Sequence, residues 1–398
     1  MRSTLLFLLL TAFTLNASVP ELKKITAGGF EREYLFYAPS KTKPKGMIVA
    51  IHGFNRNMFD FFEDYSLTKI ADSLNYLIIA PQALPEQSDD VYADARAIKD
   101  LTGKEIPLDA VWACGLRFEV EPIAILGSFT IIDAELNKTV DDVDFIGSII
   151  RKTIDEQKLD ANNIFLVGTS MGGYMSYQYA LLQPVKISGI VSIAGSMGLS
   201  IKGKENNNPL PVCNFHSLDD EVVPYSGSYE IVFVEITLAE HTDSVINYWR
   251  RVNNTAEPVV ENFPSSNGKT VQKITYPHSD NEVINYKIEG APHSYFFRSD
   301  SGDCMDYVKE ITKFIAAHSA VSNEVLPYGG ENALQISPNP AYNIVRTSVS
   351  DGYAVIYDLS GRKMLSAPII SGILDVSPLN AGLYILKVGT KTCRLVKK

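Results

Sequence analysis

The stretch from Ile164 to Ala180, IFLVGTSMGGYMSYQYA, changes its hydrophobic period within a few residues. Ile164 to Val167 are uniformly apolar, as in a strand buried on both faces, whereas Met175, Tyr179 and Leu182 recur at helical spacing. The joint between them is Gly168-Thr169-Ser170-Met171-Gly172, a G-x-S-x-G match. A strand that enters a helix so abruptly holds the middle residue in a strained backbone geometry, and small flanking residues let neighbouring segments approach closely. The hydroxyl is then presented at the C-terminal end of a strand, where the positive end of the helix dipole favours a developing oxyanion. Ser170 therefore reads as a nucleophile; the plainer reading is a tight turn that happens to carry a serine.

The surrounding chain fits a strand buried on both faces. Further apolar strand candidates are Gly46 to His52, Tyr76 to Pro81, Ile164 to Gly168, Ile187 to Gly195 and Leu210 to His216, interleaved with helix candidates at Asp142 to Gln157, Gly172 to Leu182, Thr242 to Val252 and Cys304 to Ala317. Such alternation predicts an α/β fold, a mainly parallel sheet with helices on both faces, whose ligands sit at the C-terminal ends of the strands. After His318 the texture changes: a linker-like SAVSNEVLPYGGENALQ precedes short strands and turns from Ile336 onward, predicting a small all-β sandwich. That tail contains no histidine, so the chemistry lies before it.

At 398 residues the chain is too long for one ordinary core. A net charge of -10 with no basic run argues against nucleic acid or an anionic membrane as partner. The N-terminus, MRSTLLFLLLTAFTLNAS, has one Arg, an apolar run from Leu5 to Leu15 and small residues around Ala17. The run is too short for a stable membrane span and reads as a cleaved signal peptide, placing the mature protein outside the cytoplasm. The expected organisation is thus a signal peptide at 1–17, a catalytic domain at 18–320, a linker at 321–335 and the tail domain at 336–398. Cys114, Cys213, Cys304 and Cys393 are scattered without C-x-x-C spacing, which speaks against a metal site and leaves either free thiols or one disulfide of unreadable pairing.

A serine nucleophile needs a base and an orienting acid, here expected in the order Ser, Asp or Glu, His. Of the six histidines, His241, His278, His293 and His318 lie late enough. His293 alone follows a strand-like run, VINYKIEGAPHSY, on a Gly-Ala-Pro loop able to aim a side chain over the sheet. The acid is expected in CNFHSLDDEVVPY, where the residues alone do not choose between Asp219 and Asp220; His216 in the same segment reads as structural. Two backbone N–H groups should form an oxyanion hole, those of Met171 and of Phe54 after the strand MIVAIHGF, with His52 packing behind as scaffold.

In that order, IHGFNRN, DDVDFIGSIIRKTIDEQKLDANNIFLVGTSMGGYMSYQYA, HSLDDEVVPYSG and GAPHSYFF resemble the polyhydroxybutyrate depolymerase and feruloyl esterase family of secreted α/β-hydrolases, over roughly Phe30 to Ala317. The resemblance to H-G-x-x-D-x-x-V-P-Y implies that the acid is Asp220, and that to G-x-x-H-x-W supports His293, with Tyr295 in place of the tryptophan. The stretch from Pro85 to Val140, carrying DAVWACGLRFEV, departs from the family and is expected to line the substrate cleft. The tail segments ISPNPAYNIVRTSV, AVIYDLSGRKM, LNAGLYILKV and RLVKK resemble the C-terminal sorting domain of the Bacteroidetes type IX secretion system, which implies export through the outer membrane; the competing reading is a carbohydrate-binding or surface-binding sandwich.

The expectation is a secreted serine esterase acting through Ser170, Asp220 and His293, with no cofactor or metal. Its expected partners are the secretion machinery and an ester-bearing polymer, feruloylated or acetylated polysaccharide or aliphatic polyester, or a small ester. An exported prolyl-oligopeptidase-like peptidase and a noncatalytic binding protein are the alternatives.

Overall fold

Strands that are apolar at every position can be satisfied only in the middle of a covered sheet. Gly46–Ile51 (β3), Tyr76–Pro81 (β4), Ile164–Thr169 (β5), Gly189–Ile193 (β6) and Val212–Ser217 (β7) are buried throughout. They form the centre of a ten-stranded sheet whose flanks are Glu21–Ala27 (β1), Phe30–Tyr37 (β2), Val259–Asn262 (β8), Thr270–Tyr276 (β9) and Val283–Glu289 (β10), in the order β1-β2-β4-β3-β5-β6-β7-β10-β9-β8. The computed structural model describes residues 19–39, 43–60, 62, 66–102, 105–120, 133–201, 208–231, 234–320, 334, 336–358, 362–388 and 391–398. The expected signal peptide and all but one residue of the expected linker lie outside them.

Pairing from β4 through β3, β5, β6 and β7 to β10 is parallel, and β1-β2-β4 and β10-β9-β8 are antiparallel additions at the two edges. Side chains alternate across this sheet into two cores. Met47, Val49 and Ile51 join helices Asp142–Gln157 (α3), Met171–Leu182 (α4) and Thr242–Asn253 (α5) on one face. Ile48 and Ala50 join Leu67–Leu74 (α1) and Tyr307–His318 (α6) on the other.

Two further features escaped the sequence reading. A helix spans Asp89–Thr102 (α2), and a four-stranded antiparallel sheet unites Arg117–Val120 and Asp133–Glu135 with Ser228–Ile231 and Val234–Thr237, from insertions after β4 and after β7.

The chain divides into two units, Met1–Val321 and Ser322–Lys398. In the second, a three-stranded and a four-stranded antiparallel sheet share one core, with Ile336, Val345 and Leu374 contributed by one and Ile356, Leu386 and Leu395 by the other. All four cysteines are free thiols, so the disulfide left open above is not formed. Burial pushes the Cys114 thiol up to about 12 and that of Cys213 well above its ordinary range. Among the described residues, no helix is long and apolar enough to cross a membrane.

Candidate active site

Ser170 sits between β5 and α4 with φ 52° and ψ -124°, a left-handed backbone that an L-residue adopts only under strain, typically about 1–3 kcal/mol. Its neighbours enforce that geometry. A Cβ on Gly168 would lie 2.0 Å from the Gly172 carbonyl oxygen, and one on Gly172 would lie 2.0 Å from that of Ile51, so glycine alone lets α4 start this close to β3. The Ser170 N–H donates to Ile193 O at 2.7 Å, and its own carbonyl accepts from Gly173 at 2.8 Å. The hydroxyl is thereby fixed above the strand ends.

His293 follows β10 on a loop that turns at Gly290, φ 76°. Its Nε2 stands 2.9 Å from Ser170 Oγ, and its Nδ1 stands 2.9 and 2.8 Å from the two carboxylate oxygens of Asp220. With Nδ1–H donated to the carboxylate, the Nε2 lone pair faces the serine hydroxyl. Asp220 follows β7; its side chain is fully buried and its Oδ1 accepts from the N–H groups of Val222 at 2.9 Å and Val223 at 2.7 Å. Burial alone would raise its carboxyl pKa, but hydrogen bonds from His216 and His293, the charge of His293 and the Val223 N–H together hold it well below the usual carboxylate range.

The other carboxylates of the HSLDDEVVPY segment are engaged elsewhere on the same loop. Asp219 Oδ2 accepts the Gly290 N–H at 2.7 Å, and Glu221 Oε2 accepts the His293 N–H at 3.1 Å. His216 is buried as a structural side chain, with Nε2 at 2.8 Å from Val223 O and 3.5 Å from Asp220 Oδ2, and Nδ1 at 3.3 Å from Thr242 Oγ1. His241 caps α5, His278 caps its own turn and His318 bonds back to Phe314. Tyr295, in the place of the family's tryptophan, anchors the loop by donating to Asp303 at 3.2 Å.

The N–H groups of Phe54 and Met171 have no hydrogen-bond partner among the described residues. Met171, first in α4, has no preceding turn to satisfy it. His52 is buried behind them: Nε2 accepts the Ala83 N–H at 3.1 Å, which leaves Nδ1 protonated to donate to Gly53 O at 2.8 Å. Burial pushes its pKa down to about 4, against the weaker effect of that Gly53 bond.

Within the segment expected to line the substrate cleft, the helix Asp89–Thr102 is largely exposed while the part around Trp112 turns inward. Leu108 and Ala110 to Cys114 are all buried, packed into the core beneath the Gly53 loop, because Ala113 N–H is tied to Asp142 at 2.7 Å and Val111 O to Asn137 at 2.7 Å. Asp142 is itself held by Arg32 in a buried ion pair at 2.6 Å. Residues 121–132 lie outside the described residues.

The arrangement can carry out nucleophilic acyl chemistry: an imidazole aligned to accept the serine proton, a carboxylate to fix its tautomer, and two free N–H groups on the adjoining strand ends.

Residues 131–248, which include Ser170 and Asp220, match the phospholipase/carboxylesterase family, and residues 335–398 match the secretion system C-terminal sorting domain. A probable feruloyl esterase C of Aspergillus niger is 27% identical over 124 residues, 29% of this chain and 45% of that protein. The feruloyl esterase C of Emericella nidulans is 28% identical over 109 residues, 27% of this chain and 40% of that protein. The chain thus spans less than half the length of these relatives. Among solved structures, an acetyl xylan esterase from Aspergillus awamori superposes with a TM-score of 0.47 at 13% identity, over 74% of this chain and 99% of that one. The central sheet order, the helices on both faces and the esterase-family match over 131–248 identify the larger unit as an α/β-hydrolase fold, followed by antiparallel β-sheets at the C-terminus.

Proposed function

We propose that the chain is a secreted serine hydrolase of carboxylic esters, with Ser170 as nucleophile, His293 as base and Asp220 as orienting acid. The observation that carries this reading is the unbroken chain from Ser170 Oγ through His293 to the buried Asp220 carboxylate, 2.9 Å on the serine side and 2.8 Å on the acid side. Ser170 Oγ attacks the ester carbonyl as His293 Nε2 takes its proton, and the carboxylate of Asp220 stabilises the imidazolium. The tetrahedral oxyanion is received by the N–H groups of Met171 and Phe54. His293 then protonates the departing alcohol, and water activated by the same imidazole releases the acid from Ser170. Every step uses side chains or backbone of this chain.

The feruloyl esterases among the relatives support a feruloyl ester as the foremost substrate, carried on plant polysaccharide; acetylated polysaccharide and polyhydroxybutyrate are the further candidates, on the sequence resemblance alone. The sorting-domain match supports export of the chain by the type IX machinery through its C-terminal unit, after a signal peptide at 1–17 has taken it across the inner membrane.

Labelling by a fluorophosphonate probe tests the mechanism, because only an activated serine reacts; wild type should label and Ser170→Ala should not. Turnover of methyl ferulate, acetylated xylan and a polyhydroxybutyrate suspension then ranks the substrates. Dipeptide anilides cleaved faster than p-nitrophenyl esters would overturn the esterase assignment in favour of a peptidase.

A further inference from the structure

The Trp112 segment has a closer relation to the site than a cleft wall would have. The indole Nε1–H donates to the His52 carbonyl at 2.8 Å, and Ala110 O accepts the Asn55 N–H at 2.9 Å. Those two bonds fall on the peptides either side of Gly53–Phe54, the peptide that carries the free Phe54 N–H. The backbone N–H of Trp112 lies 3.4 Å from the sulfur of Met171, the residue with the other free N–H. One buried segment therefore bonds to the residues on either side of one proposed oxyanion donor and to the side chain of the other, although the two belong to loops more than a hundred residues apart in sequence.

We propose that Trp112 is a positioning residue of the oxyanion hole, its indole N–H holding the His52–Phe54 turn in the orientation that aims the Phe54 N–H at the reacting carbonyl. The inference rests on the serine-esterase reading above. Trp112 is fully buried and its ring packs 4.9 Å from that of His52, so no water replaces the bond to the His52 carbonyl. Phe54, by contrast, is only half-buried and its loop leaves the sheet directly after β3, so the turn is held not by the sheet ladder but by loop bonds: Gly53 O accepts from His52 Nδ1 and from the Arg56 N–H, and the indole N–H fixes the peptide before them. A donor that is fixed before charge develops costs no reorganisation in the transition state, whereas a turn free to rotate would have to be ordered at that moment.

The segment itself stays in place without the indole N–H. Val111 N–H donates to Leu84 O at 2.8 Å, Val111 O accepts from Asn137, Ala113 N–H donates to Asp142, and Ala113 O accepts from Gln178 at 3.0 Å. Trp112→Phe therefore removes that hydrogen bond and part of the buried ring at a site whose backbone is tied on both sides. The chain supplies its own control, because its only other tryptophan, Trp249, is equally buried and its Nε1 has no partner among the described residues.

The test compares Trp112→Phe with Trp249→Phe in the full chain, reading kcat and KM on p-nitrophenyl acetate and the Ki of a trifluoromethyl ketone, whose adduct places an oxyanion in the hole. Trp112→Phe is expected to lose roughly tenfold to a hundredfold in kcat/KM, mostly in kcat, with the Ki rising by the same factor. Trp249→Phe should stay within about twofold of wild type on both measures. A purely structural tryptophan would lower the melting temperature and the labelled fraction but leave the Ki per active site unchanged, and that result overturns the proposal, as does a Trp112→Phe enzyme within twofold of wild type. If Trp112→Phe does not fold, incorporating 3-benzothienylalanine at position 112 replaces the indole N–H by sulfur without changing its shape, and the same readings apply. A wild-type protein that takes no fluorophosphonate label refutes the esterase reading itself; label on wild type with an unmoved Trp112 variant refutes only the positioning role.

Discussion

Asp219 Oδ2 accepts the backbone N–H of Gly290 at 2.7 Å, so the carboxylate beside Asp220 holds the loop that carries His293 and does not reach the imidazole. Two adjacent acids in the turn after β7 thus divide the work, the turn sending their side chains to different partners. One orients the ring; the other orients the loop.

This division predicts unequal effects from the same substitution. Asp220→Asn should lose about four orders of magnitude in turnover, because the amide favours the wrong imidazole tautomer. Asp219→Asn should keep most of it, since an amide oxygen still accepts from Gly290. Side-by-side rates with the ranking reversed would move the acid to Asp219.

Gly172 predicts a folding defect. An alanine Cβ there would lie 2.0 Å from Ile51 O and 2.7 Å from His52 O, both backbone atoms at the strand end. Relieving that overlap means lifting α4 away from β3, at a cost above about 3 kcal/mol. Urea unfolding of Gly172→Ala should show it as a sharply lower midpoint; an unchanged midpoint would mean that the helix start is not close-packed.

His52 predicts how stability responds to acid. Its ring titrates at about 4 when folded, against 6.5 for a free side chain. Between those values the unfolded chain binds a proton that the folded chain refuses, so this contribution is complete above 6.5 and is lost as pH falls toward 4. The loss approaches about 3 kcal/mol at the bottom of the window. Asp220, whose pKa is depressed, acts in the same direction, but only below the ordinary carboxylate value of about 3.9. Measured by urea unfolding at neutral pH and again near pH 4.5, the stability gap between wild type and His52→Gln should narrow by roughly 2–3 kcal/mol; a constant gap would show that His52 is not buried as a neutral ring.

The C-terminal unit has its own core, with Ile356, Leu386 and Leu395 packed against Val345 and Leu374. Deleting Ile336 to Lys398 should leave ester turnover of the recombinant enzyme intact while the native host no longer places it outside the cell. Normal export of the truncated chain would refute the sorting role, and lost turnover would make the tail part of the catalytic fold.

Local sequence by itself determined the parts whose physics is local. The all-apolar runs that become β3 to β7 need cover on both faces, and the period change at Gly168 to Gly172 leaves room only for a strand, a strained turn and a helix. The edges were less legible: β1 and β8 are largely exposed, and the strands at Arg117–Val120 and Val234–Thr237 find their partners across more than a hundred residues. Between Asp219 and Asp220 the residues themselves did not choose and only the resemblance pointed to Asp220; the tertiary structure supplies the physical reason, since it sends one carboxylate to the Gly290 N–H and the other to His293. It also decided that Trp112 is buried against the Gly53 turn: the Arg32–Asp142 pair and the Asn137 amide that draw its segment inward come from other points of the chain, and a buried hydrogen bond between such residues leaves no period or spacing in the sequence.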